Sequence, residues 1–112
     1  MLKVKEVNLE YGNPATNVAV MNMVNKLTTC KAKGYKAVVL IHGYGSSGIG
    51  GSIKVEVRNK LKERSLSGLV RSYCGGEDWL NKKRQMIDVC PQLKDFNSRI
   101  DGNKGVTVVL LK

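Results

Sequence analysis

The passage from Lys36 to Gly51 constrains this chain most, because an unbroken apolar run there gives way to a glycine-rich stretch. Lys36–Ile41 reads KAVVLI, apolar and β-branched with no polar alternation. Such a run predicts a strand buried on both faces, the kind usually found beside parallel neighbours. The ten residues that follow, His42–Gly51, contain five glycines. A glycine-rich turn between a strand and a helix lets the backbone come close to a ligand. It also aims the free N–H groups of the helix start at an anion, and phosphate is the natural guest.

The elements around this passage follow from periodicity and punctuation. Lys3–Leu9 predicts a first strand, with Val7 and Leu9 on one face. Asn13 is the expected cap of a first helix and Pro14 its first residue, where no N–H is needed. Val20, Val24 and Leu27 supply that helix's stripe, Met21 and Met23 fill in, and Gly34 closes it. Ser52 is the expected N-cap of a second helix running to about Arg64. Ile53, Val57 and Leu61 form its apolar stripe, Lys54 and Arg58 a basic row beside it, and Lys60, Lys62 and Arg64 extend the charge. Leu69–Tyr73 predicts a third strand, and Glu77–Val89 a third helix with Trp79, Met86, Ile87 and Cys90 inward. Pro91 ends that helix, Leu93–Ile100 adds a turn or two, Asp101–Gly105 is turn chemistry, and Val106–Leu111 is the last strand, central or half-buried. The order β-α-β-α-β-(α)-β predicts an α/β fold: a two-layer sandwich on a mixed sheet of about four strands, with residues 1–112 as one domain.

Charge narrows the partners. Nineteen Lys and Arg against nine Asp and Glu give a net +10, which favours polyanions such as nucleic acid or an anionic surface. No apolar run is long enough to span a bilayer, so no membrane partner is expected. Met1–Glu6 alternates apolar and charged residues, unlike the apolar core of a signal peptide, and a cytoplasmic location is the expectation. Cys30, Cys74 and Cys90 are widely spaced, which predicts free thiols, and with one histidine they do not make a metal site.

Three motifs together resemble the Smr domain, the small MutS-related domain. They are Val38-Val39-Leu40-Ile41-His42-Gly43-Tyr44-Gly45, then Ile53-Lys54-x-x-Val57-x-x-x-Leu61, then Gly105-Val106-Thr107-Val108-Val109-x-Leu111. They are similar to that family's strand and His-Gly-x-Gly loop, its Leu-Arg-x-x-Val-x-x-x-Leu helix, and its glycine-led closing strand. The order and spacing hold over about four-fifths of the chain. The resemblance implies a compact α/β sandwich that binds nucleic acid, in a family where some members nick DNA or cleave RNA. It places the site at His42, Gly43, Gly45 and Lys54. The sequence also departs from the pattern. Where the family commonly carries Leu-Asp-x-His-Gly, this chain reads Val7-Asn8-Leu9-Glu10-Tyr11, so Asn8 stands for the acid and Glu10 for the histidine. The loop is longer than usual, and a lysine replaces the helix-opening arginine. Gly75–Gly102 reads as an insertion, whose Lys82-Lys83-Arg84 run is either an extended basic surface or a solvated helix face.

The functional expectation is therefore a nucleic-acid-binding domain, for DNA or RNA. Gly43, Tyr44, Gly45, Ser46, Ser47, Gly48 and Ser52 would cradle phosphate, Lys54 and Arg58 would contact flanking phosphates, and Tyr44 would stack on a base. Endonuclease activity would add His42 and Glu10 as a catalytic pair and could call on a divalent ion. A small-molecule nucleotide or phosphate-ester binder using Gly43-x-Gly45-x-x-Gly48 is an alternative, and a protein-interaction module is another.

Overall fold

In the computed structural model, residues 3–43 and 50–112 are described. Strand β2 (Tyr35–Ile41) is the spine, and its Ala37, Val38, Val39 and Leu40 are all buried, as an unbroken apolar run requires. Strand β1 (Lys3–Asn8) pairs with it in parallel, and β4 (Val106–Leu111) pairs with its other edge antiparallel. Strand β3 (Val70–Gly75) lies outside β4, so the sheet order is β1-β2-β4-β3, mixed and four-stranded as expected. All six residues of β4 are buried, which fits its central place.

Alternation along these strands sorts the core into two clusters. Val38, Leu40, Val109 and Leu111 pack with α1 (Thr16–Ala32) and α2 (Gly50–Leu61). Ala37, Val39, Val108 and Leu110 pack with α3 (Trp79–Val89), the 3-10 turn Pro91–Phe96 and α4 (Asn97–Ile100). The segment that reads as an insertion is thus a packed cover over the second face, giving the sandwich a third layer. Trp79, at its heart, is fully buried and donates its indole N–H to Asn97 Oδ1 at 2.8 Å.

Ile53, Val57 and Leu61 form the buried stripe of α2, as their spacing predicts. Helix α1 differs from expectation. It begins at Thr16 after an extended Ala15, with no side-chain cap. Asn13 does not cap it: it takes a left-handed φ of 51° in a tight turn where its N–H bonds the Glu10 carbonyl at 3.0 Å, and Pro14 precedes the helix. The buried face is Ala19, Met23, Leu27 and Cys30, while Val20 and Val24 are half-buried and Met21 faces out. Gly34 ends the helix as expected, at φ 86°. Ser52 does not cap α2 either, because Gly50 and Gly51 are already helical. Among the described residues no helix is long and apolar enough to cross a membrane.

Candidate functional site

The site lies where β1 and β2 end and β4 begins. The backbone N–H groups of His42 and Gly43 both bond the carbonyl of Gly105, at 2.9 and 3.1 Å, which ties the loop's first residues to the start of β4. Gly43 has φ 73°, and a Cβ on Gly105 would come within 3.2 Å of the Gly43 Cα, so the two glycines let the segments touch.

His42 is fully buried. Leu40 pairs with Thr107, so His42, two residues on, shares the face that carries the Thr107 side chain. Its Nδ1 lies 2.7 Å from the Gly43 carbonyl and its Nε2 lies 2.7 Å from Thr107 Oγ1. A carbonyl only accepts, so Nδ1 carries the proton, and Nε2 then accepts from the Thr107 hydroxyl. The Thr107 oxygen in turn accepts from Arg58 Nε at 3.3 Å. Burial pushes the imidazole pKa down to about 4, partly opposed by the bond to Gly43 and reinforced by nearby Arg58 and Lys54. At neutral pH the ring is uncharged, with both nitrogens engaged.

Arg58 extends this chain outward. Its two terminal nitrogens each donate to one oxygen of Glu77 at 2.8 Å, a bidentate pair, and Lys54 Nζ lies 3.2 Å from the same carboxylate. The hydrogen bonds from Arg58, foremost among several influences, hold the Glu77 pKa at about 2. A Cβ on Gly75 would fall on Arg58 Nη2 and Glu77 Oε1, so the bare glycine leaves the room the pair occupies. Lys54 and Arg58, one turn apart on α2, thus converge on a single anionic group.

Glu10 stands elsewhere. Its carboxylate lies against Gly43, in an open cleft of about 540 Å³ lined also by Glu6, Val39, Ile41, Arg99 and Asn103. Val39 belongs to the second core cluster, whereas Thr107 and Arg58 belong to the α2 side. The expected His42–Glu10 pair is therefore not formed: Gly43 lies between them, and they point to opposite faces of the sheet. Among the described residues, Ser52 Oγ meets Thr16 Oγ1 at 3.2 Å. Tyr44, Gly45, Ser46, Ser47 and Gly48 lie outside the described residues. Among the described residues no cluster of three or more His, Cys, Asp or Glu is arranged to hold a metal.

Sequence reasoning missed Thr107 and Glu77. Thr107 carried a signal, being the one polar residue in VTVVLL. Glu77 carried none beyond its place after two glycines, since its link to Arg58 spans 19 positions and depends on tertiary folding.

No protein-family model matches the chain, and no curated protein matches it. Among solved structures, the chain is similar to the Smr domain of Thermus thermophilus MutS2, at 20% identity and a TM-score of 0.56, covering 99% of each chain. The chain has an Smr-like fold, in a sequence far diverged from that domain.

Proposed function

We propose that this Smr-like domain binds nucleic acid through the phosphate backbone, at the surface formed by Gly43, Lys54 and Arg58. One observation carries this reading: Lys54 and Arg58 converge on a single anionic group from the helix that starts at Gly50, where the glycine-rich stretch ends. A guanidinium that already grips a carboxylate in two-pronged fashion has the geometry that also suits a phosphate. The net charge of +10 supplies long-range attraction to a polyanion. The resolved neighbour is itself an Smr domain, from a MutS2 protein, which agrees with this reading.

Binding is favoured over cleavage. A buried, neutral His42 with both ring nitrogens bonded inside the protein serves to position the loop and Arg58, and Glu10 stands away from it. The test is titration of labelled single-stranded RNA, single-stranded DNA and duplex DNA across a salt series. Affinity should fall steeply with salt, and Lys54→Gln should weaken all sequences alike and reduce the salt slope by about one. Absence of binding to all three at about 50 mM salt would overturn the proposal.

A further inference from the structure

We propose that Glu77 is a built-in competitor for the phosphate at Lys54 and Arg58, so that this surface admits a polyanion and turns away a single small anion; this rests on the nucleic-acid reading above. Glu77 fills both prongs of Arg58 and also meets Lys54, which is the full set of contacts a phosphate would need there. It is tethered to the same chain, so it meets the two cations without the translational entropy cost that a free anion pays. A free phosphate offers one contact in exchange for the one it must break. A nucleic-acid strand offers several at once, because Lys62 follows Arg58 by one further turn just past the end of α2 and Arg64 lies beyond it, and each contact releases counterions.

Local structure allows the exchange. Glu77 sits on the short 3-10 turn Gly76–Asp78, not in the core, and its side chain is 34% exposed. It can rotate into water without disturbing Trp79, whose buried ring anchors the next turn. Gly75, with no side chain, keeps the space between the pair open. A Glu77 that served only to hold Arg58 in place for phosphate would predict the reverse effect of its removal, so the two roles separate cleanly.

The experiment compares the wild-type chain with Glu77→Gln and Glu77→Ala, with Glu6→Gln as the control. Glu6 pairs with Arg99 at 2.6 Å on the other face of the sheet, so its change also removes one negative charge and frees one arginine. Labelled single-stranded RNA, single-stranded DNA and duplex DNA are titrated at low salt, with inorganic phosphate then added as a competitor. Both Glu77 variants should bind oligonucleotide roughly tenfold tighter than wild type, and Glu6→Gln no more than about twofold. With each protein half-saturated by oligonucleotide, inorganic phosphate should displace it from Glu77→Gln at lower concentration than from wild type. If wild type binds but the Glu77 variants gain no more than Glu6→Gln does, or lose affinity, the competitor role alone is overturned. Failure of every protein to bind any of the three oligonucleotides overturns the nucleic-acid reading itself.

Discussion

The two sides of Gly43 are built on opposite terms. Towards α2 runs an unbroken hydrogen-bond chain: Arg58 donates to Thr107, Thr107 to His42, and His42 to the Gly43 carbonyl. Towards α4, the cleft holds a Glu6–Arg99 pair and a Glu10 carboxylate that takes part in no hydrogen bond among the described residues. At its inner end, His42 and Thr107, the first side is buried and fixed, and a change there propagates because each group satisfies the next. The second is wet and loosely coupled. A buried chain of this kind serves to hold a surface in shape, which is why Arg58 and Lys54 can be aimed at one point while the imidazole behind them never meets solvent.

The largest expected effect tests whether His42 is as buried in solution as the hydrogen bonds make it. An ordinary histidine titrates near 6.5, whereas His42 is held at about 4. Between those values the unfolded chain binds a proton that the folded chain refuses, so stability is complete above about pH 6.5 and declines as pH falls towards 4. The loss amounts to about 3 kcal/mol. Denaturant unfolding at a series of pH values measures it, and His42→Asn should remove the slope across that window. Glu77 acts in a lower one: its depressed pKa adds stability above about 4.5 that is lost as pH falls towards 2. Parallel profiles for wild type and His42→Asn between pH 6.5 and 4.5 would break the contrast between the two sides.

A smaller effect comes from the middle of the chain. Thr107→Val keeps the shape but removes the one hydroxyl that both satisfies His42 Nε2 and accepts from Arg58. A buried ring nitrogen then has no donor, at a cost of about 2 kcal/mol. Chemical denaturation reads this directly. Stability within a few tenths of wild type would show that the imidazole finds another partner, and that the buried chain is less fixed than its distances imply.

The contrast also marks what could be read in the sequence. Lys36–Ile41 and Val106–Leu111 announced buried strands because burial on both faces demands an apolar run, broken in the second only by Thr107, and Ile53, Val57 and Leu61 announced the inner face of α2. Strand β2 ends at Ile41 and α2 begins at Gly50, so the expected strand and helix flank the glycine-rich stretch. Its partners were harder to see. Asn13-Pro14 carried a good helix-start signal, yet the Gly12-Asn13 turn used Asn13 for a left-handed bend instead. His42 and Glu10 share the ends of neighbouring parallel strands, and a strand register brings them near, but only side-chain alternation decides that they part around Gly43. Lys54 and Arg58 were legible as cations, and the acid that occupies them was not, since nothing local links position 77 to position 58.

The smallest effect belongs to the open side. Glu10→Gln removes a charge from a side chain that is solvent-exposed and free of hydrogen-bond partners among the described residues. An exposed, unpaired carboxylate contributes little, so stability should change by less than about 0.5 kcal/mol. The His42 titration should also stay in place, because Gly43 separates the two groups and the charges that bear on the imidazole are Arg58, Lys54 and Glu77. The ring proton signals of His42, followed by NMR from pH 7 down to about 3 in both proteins, provide the measurement. A His42 midpoint that moved by a full unit in Glu10→Gln would mean that the carboxylate and the imidazole feel each other strongly across Gly43. The pair expected from the sequence would then exist electrostatically even though no hydrogen bond joins it.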